Sequence, residues 1–126
     1  MHEPRSHEAS GLHRVSNAMV KIHKERLGRG PSKVRSNFAG PDTLVSVLQE
    51  ALTPAEQKLV EVGNETAVRD WRTALHAATE AEIIATVEQI VDRKVRAFAS
   101  GVDPKANTVF ETFYFQPESD VDRSDG

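Results

Sequence analysis

Apolar residues recur at helical spacing near the start of the chain. Four of them, three or four residues apart, share one face of a helix that we expect from about Gly11 to Leu27: Leu12, Val15, Met19 and Ile22. Gly28 predicts the end of this helix, because glycine readily adopts the left-handed conformation that often follows a helix. Gly30 and Pro31 then oppose its continuation.

The next segment alternates in the way that is typical of a strand. Three residues expected on one side, Val34, Ser36 and Phe38, alternate with Lys33, Arg35 and Asn37. After the turn formers at residues 40–42, the stretch Leu44 to Leu48 is apolar at nearly every position. We therefore predict a β-hairpin whose first strand has one wet face and whose second strand lies inside the sheet.

Two helices are predicted next. Thr53, Pro54 and Glu56 stand at the N-cap, first and third positions of a capping box, which predicts a helix start. The pattern is interrupted around residues 63–64, and a longer helix follows from about Glu65 to Asp92. Its main apolar positions, among which Trp71 is interpreted as a core residue, are Val68, Trp71, Leu75, Ile83, Val87 and Ile90.

Two more strands, KVRAFAS and TVFETFYF, flank a turn over residues 101–107. The resulting order, α-β-β-α-α-β-β, predicts an α+β two-layer sandwich: a four-stranded, mostly antiparallel sheet with helices on one face. Aromatic residues occupy both odd and even positions of the last strand. The sheet face away from the helices therefore carries aromatic side chains that need a further cover. We assign Arg35, Arg96 and Glu111 to that face and interpret it as a dimer or partner surface.

Composition narrows the class of protein. The chain has 126 residues and no cysteine, which suits a single domain, expected over residues 11–116, and excludes thiolate chemistry. Residues 1–10 and the acidic residues 117–126 are polar and are predicted to be disordered tails. Neither a membrane-length apolar run nor a signal-peptide pattern is present, so we expect a cytoplasmic protein without direct membrane insertion.

Charge is distributed unevenly along the chain. Residues 1–39 hold eight Lys and Arg against three Asp and Glu, whereas residues 40–126 hold eight against sixteen. The basic third could bind an anionic small molecule or a nucleic acid through Arg29, Lys33 and Arg35, or it could be neutralised by the acidic remainder. Nucleic acid is not expected, because the join near Gly63 lacks the GxxG loop of KH domains.

Arg69 and Arg72 lie near the start of the long helix, where positive charge opposes the helix dipole. Such a pair could bind a carboxylate or phosphate of a partner, or it could pair with the nearby Glu65 and Asp70.

No assembled catalytic centre is recognisable in the sequence. The histidines lack the spacing of a zinc helix, no GxSxG elbow is present, and the paired acids point to different helix faces. We therefore predict a non-enzymatic protein with no cofactor and no metal site.

Several motifs together resemble those of the MpsC-like family, which is named for a subunit of a bacterial sodium-translocating, membrane-potential-generating system. They are Gly28-Arg29-Gly30-Pro31, Leu52-Thr53-Pro54-Ala55-Glu56, the pair Arg69 and Arg72, and the stretch from Ser100 to Pro104. The likeness covers roughly residues 15–115. One departure is Gly101, where the family tends to carry Asp, which leaves Asp103 as the nearest acid.

The resemblance implies a small cytoplasmic accessory domain beside membrane cation-transport subunits, at the inner face of the membrane, and no known catalytic residue. We accordingly expect a homodimer or a complex with such subunits. The candidate partner- or anion-binding residues are Arg29, Lys33, Arg35, Arg69, Arg72 and Asp103, and the candidate structural residues are Gly28, Gly30, Pro31, Thr53, Pro54 and Glu56.

Overall fold

A computed structural model describes residues 6–117 of the chain, with side chains from residue 10 onward. The elements follow the predicted order. Of the predicted tails, residues 1–10 and 117–126, the parts 1–5 and 118–126 lie outside the described residues. The elements are α1 (Ser6–Leu27), β1 (Lys33–Phe38), β2 (Thr43–Gln49), α2 (Pro54–Glu61), α3 (Glu65–Val91), β3 (Val95–Asp103) and β4 (Thr108–Phe115).

The first helix begins at Ser6 rather than at Gly11. The prediction started the helix at its first apolar turn, but the preceding Glu8 and Ala9 are strong helix formers, and a helix can extend over them without burying an apolar side chain. Part of the predicted tail is therefore helical.

The four strands form one antiparallel sheet, as predicted, and within it they lie in the order β1-β2-β4-β3. The nearly continuous apolar strand β2 lies inside the sheet beside β4, while β1 and β3 form the edges. A register shift between Val95 and Ala97 interrupts the β3 ladder near Arg96.

The helices cover one face of this sheet, which makes the fold an α+β two-layer sandwich. Helix α1 packs against β1 and α3, and α3 packs against β3. The apolar residues enclosed between the two layers are Val15, Met19, Ile22, Leu44, Leu48, Ala51, Ile83, Val87, Val109, Phe113 and Phe115.

A polar row crosses the middle of the buried sheet face. In the strand register Ser36 pairs with Ser46, Ser46 with Glu111, and Glu111 with Ser100. The hydroxyls of Ser36 and Ser46 are 2.7 Å apart, and that of Ser16 on α1 donates to Ser36 over 2.8 Å. Our assignment of Glu111 to the open face is thus wrong, because it has the same parity as Val109 and Phe113 and is buried.

Trp71 is also not a core residue, since 48% of its surface is exposed. The buried positions of α3 are Val68, Arg72, Thr79, Ile83 and Val87. Arg72, four residues after Val68, takes the inward position of that turn, which leaves Trp71 on the outside.

Arg93 contacts three chain segments at the end of the sheet where the β1–β2 turn lies. Its guanidinium donates to the carboxylate of Asp42 over 2.6 Å and to the carbonyls of Pro41 and Gln116 over 2.8 and 2.9 Å. The same group lies 5.1 Å from the centre of the Phe115 ring. The β1–β2 turn is thereby joined to the ends of α3 and β4.

Gly28 adopts φ +76° directly after α1, as predicted, and its N–H donates to the carbonyl of Lys24. We expect Gly28→Ala to lower the free energy of unfolding by about 1 kcal/mol, because an L side chain is strained in the left-handed region. At Gly11, inside α1, an added Cβ would meet no atom within 4 Å, and G11A should instead stabilise the protein by about 0.5–1 kcal/mol. Urea denaturation measures the free energy of unfolding of both variants, and a change of the same sign in the two would contradict this interpretation.

Candidate functional site

A buried ion pair joins the first turn of α2 to α3. The guanidinium of Arg72 donates from Nε to Glu56 Oε2 over 2.6 Å and from Nη2 to Glu56 Oε1 over 2.8 Å, and both side chains are buried. This is the bidentate geometry that suits arginine and carboxylate. Nη2 also donates to the carbonyl of Ala51 over 2.7 Å.

The same carboxylate completes the predicted capping box. The backbone N–H of Thr53 donates to Glu56 Oε1 over 2.8 Å, and the Thr53 hydroxyl accepts from the Glu56 N–H over 3.2 Å. Burial by itself raises the pKa of Glu56, but the hydrogen bonds from Arg72 and Thr53 and the charge of Arg72 outweigh it, so the pKa lies below its usual value.

Arg72 is therefore engaged inside the protein, and its partner is Glu56 rather than the Glu65 or Asp70 that its sequence position suggested. Arg69, three residues earlier, is exposed and donates from Nη1 to the carbonyl of Val102 over 2.9 Å. Asp103 follows on β3, and its Oδ1 accepts from the N–H of Ala106 in the β3–β4 turn. The structure thus brings Arg69 close to the segment that carries Asp103.

The basic residues of the first third lie apart from this group. Arg29 is exposed in the α1–β1 loop, where Gly30 packs so closely on α1 that a Cβ would lie 3.0 Å from the Val20 carbonyl oxygen. Lys33 begins the edge strand β1. Arg35 is exposed and, being next to the buried Ser36 in the strand, lies on the sheet face away from the helices. Within residues 10–117 these three cations form no ion pair with another side chain. Lys33 and Asp103 are on opposite edges, about 14 Å apart by strand spacing.

The sheet face that no helix covers has an apolar centre. Phe110 and Tyr114 of β4 are 42% and 40% exposed there. Beside them in the register lie the half-buried or exposed residues Val45, Val47, Thr112, Ala97 and Ala99. Arg35 pairs with Val47, which in turn pairs with Phe110, so a cation borders the aromatic centre. We call this surface the open sheet face.

A cavity of about 110 Å³ lies on the other side of the sheet, between α1, α3, β3 and β4. Glu111 of β4 and His23 of α1 both line it, and both are buried. His23 Nδ1 is 2.8 Å from the Met19 carbonyl oxygen, and its Nε2 is 3.6 Å from Glu111 Oε1. Arg26, at the rim, pairs with Glu82.

The sequence analysis did not identify this His23 and Glu111 pair. One signal was present: Glu111 has the same strand parity as the aliphatic Val109 and the aromatic Phe113. His23 follows Ile22 on the apolar stripe of α1. Among the side chains of residues 10–117, no three His, Asp or Glu groups are placed to hold one metal ion together.

The fold and these sites define a small α+β domain with an open, aromatic sheet face and a buried ion pair between Arg72 and Glu56. Within residues 6–117 no helix is both long enough and apolar enough to cross a lipid bilayer. A family model described as Na+-translocating membrane potential-generating system (MpsC) matches residues 9–117. The chain belongs to this family, as the motifs had suggested. Comparison with curated proteins and with solved structures gives no match.

We expect Glu56→Gln to lower the free energy of unfolding by about 3 kcal/mol, because it leaves the charge of Arg72 buried without a counter-charge. Glu61→Gln is the matched control: Glu61 pairs with Lys58 on the exposed side of α2, and its loss should change stability by less than about 0.5 kcal/mol. Chemical denaturation near neutral pH measures both.

The pH dependence of this difference has a defined sign. Since the pKa of Glu56 is lower in the folded state, its contribution is complete above the unfolded pKa, near 4.5, and is lost as pH falls through the folded value. The stability gap between wild type and E56Q should therefore be constant at neutral pH and shrink in acid. A gap that widened in acid would contradict the assignment.

Proposed function

We propose that this chain is a non-enzymatic, cytoplasmic accessory domain of a membrane cation-transport system of the kind for which its family is named. It docks on a membrane subunit of that system through the open sheet face. The observation that carries this proposal is the exposure of Phe110 and Tyr114 at the centre of a sheet face that its own helices leave uncovered.

The composition of the open sheet face favours a protein partner. Aromatic residues concentrate at interface centres, where they bury a large area at little cost in side-chain entropy. Two large aromatics surrounded by Val45, Val47 and small side chains would supply such a centre. Arg35 and Lys33 at the β1 side, which have no ion pair within residues 10–117, would then face acidic groups of the partner.

The state of the charged side chains supports a role without catalysis. The buried cation Arg72 donates to Glu56 and Ala51, and Asp103 accepts from its own turn. Binding remains the activity for which these surfaces are suited.

The proposal is tested by recovering the tagged chain from gently solubilised membranes of its native cell and identifying the bound proteins by mass spectrometry. We expect integral membrane transport subunits in the eluate of the wild type. The double variant Phe110→Ser and Tyr114→Ser should lose them, with a decrease of about tenfold or more, because central aromatic residues dominate interface energies.

Trp71→Gln provides the control, since Trp71 is equally exposed but lies on the helical layer. It should retain the membrane subunits. Recovery of the chain alone as a homodimer that the double variant dissociates would assign the open sheet face to self-association and overturn docking on the membrane. Equal loss in both variants would also contradict the proposal.

A further inference from the structure

The outer edge of β1 is an unpaired strand edge among the described residues. The order of the sheet gives β1 a neighbouring strand, β2, on one side only. Every residue from Lys33 to Phe38 is in register with β2, and no bulge interrupts the ladder. A regular edge of this kind presents backbone N–H and C=O groups to which another extended chain can bind.

The register identifies the backbone groups that face outward. The N–H of Ala39 donates to the carbonyl of Thr43 over 2.8 Å, and bonded pairs alternate with non-bonded pairs along an antiparallel ladder. Asn37 and Arg35 therefore direct their N–H and C=O groups towards β2. The alternate residues, which direct these groups away from the sheet, are Val34, Ser36 and Phe38. Among residues 10–117, no hydrogen bond reaches these outward groups.

The opposite edge of the sheet, β3, is less suited to pairing. A register shift between Val95 and Ala97 distorts one end of β3, and Arg69 donates to the carbonyl of Val102 near the other end over 2.9 Å. Bulges and covering groups are features with which proteins protect their sheet edges. Since β1 keeps an unbroken register, strand addition is expected at β1 rather than at β3.

The side chains of β1 indicate what an added strand must carry. Lys33 and Arg35 are exposed on the open sheet face and form no ion pair within residues 10–117. Val34 and Phe38 point to the covered face, where they are half-buried at the margin of the core. Opposed residues of neighbouring strands share a face, so acidic side chains would lie beside the two cations and apolar ones between them.

Charge also decides between an acidic partner and a second copy of this chain. The strand β1 has two cations and no acid, so pairing of two β1 strands would bring the cations of both copies together without a counter-charge. Cations on an edge deter self-association in this way. The same cations attract an acidic strand.

We propose that the outer edge of β1 binds an extended segment of a partner protein, which adds as an antiparallel fifth strand with acidic residues at alternate positions beside Lys33 and Arg35. Antiparallel pairing is slightly more stable per residue than parallel pairing. The inference does not depend on the proposed docking function, which rests on Phe110 and Tyr114 at the centre of the open sheet face.

The probe is a peptide of four Glu-Val repeats with blocked ends, titrated into the full chain and followed by two-dimensional NMR. We expect saturable amide shifts along β1 and slower hydrogen exchange of the N–H groups of Val34, Ser36 and Phe38. Binding through side chains alone would not slow the exchange of these three groups. A peptide of four Lys-Val repeats should not bind, because its cations would oppose those of β1.

Backbone methylation of the peptide tests main-chain pairing on the unchanged protein. In the antiparallel arrangement the valine N–H groups face β1 and the glutamate N–H groups face away from it. N-methylation of the valines should therefore abolish binding, whereas N-methylation of the glutamates should leave it intact. This comparison needs no protein variant, so it decides the matter even where a variant fails to fold.

Charge reversal tests the choice of partner. The double variant Lys33→Glu and Arg35→Glu should weaken binding of the Glu-Val peptide about tenfold or more, because two attractive cross-strand pairs become repulsive. The matched control is Lys58→Glu with Lys105→Glu, which changes the net charge equally at exposed positions on α2 and in the β3–β4 turn. This control should bind the peptide as the wild type does.

The double variant Phe110→Ser and Tyr114→Ser separates this site from the proposed docking surface, and it should bind the peptide normally. Loss of binding in that variant would assign the peptide to the open sheet face and overturn the proposal. So would the absence of saturable binding, binding without slowed exchange in β1, equal binding of the Lys-Val peptide, or no effect of valine methylation or of charge reversal at β1. Slow exchange of the three outward N–H groups in the free chain would also overturn it, because a second copy or the acidic residues 118–126 would then already occupy the edge.

Discussion

The relative position of α2 and α3 depends on one buried carboxylate, that of Glu56. Glu56 is held by the N–H of the residue that caps its own helix and by a guanidinium from a helix that begins later in the chain. Since a buried carboxylate is stable only when its oxygens are compensated, α2 and α3 can adopt very few relative positions that satisfy it. The contact of Arg72 with Ala51 extends the same constraint to the segment that leaves β2.

The sheet divides the molecule into two environments of different character. Its covered face is apolar except for one polar row, in which hydroxyls satisfy each other at one end and Glu111 lies towards the other. Its uncovered face has the reverse arrangement, with aromatic residues at the centre and cations at the margin. The polar group in the core and the apolar groups on the surface are both departures from ordinary burial.

Most of the fold could be predicted because its signals are local. The capping box at Thr53, the left-handed glycine after α1 and the alternation in β1 each depend on residues a few positions apart. The partner of Arg72 could not be found in this way, since Glu56 is sixteen residues away and the contact depends on the angle between two helices.

The side of the sheet on which Glu111 lies was the other failure. Aromatic residues occupy both parities of β4, so alternation did not distinguish the covered face from the open one. We had assigned Glu111 to the solvent-exposed face because charged side chains are usually exposed. Glu111 instead lies on the face that the helices cover, opposite His23 of α1. The prediction for Trp71 was wrong for the opposite reason. The size and hydrophobicity of its side chain suggested a core position, but Arg72 occupies that position instead.

The order of the strands also sets how the chain must fold. The pairs β1–β2 and β3–β4 are hairpins that need only short turns, whereas the central pair β2–β4 joins residues separated by both α2 and α3. Closing so long a loop is entropically costly, and proteins rich in such non-local contacts fold slowly. Because each hairpin closes only a short loop, we expect the meeting of the two hairpins at the centre of the sheet to be the slow step of folding. Until they meet, the inner edges of β2 and β4 are unpaired, and we expect these two edges to be prone to aggregation during synthesis.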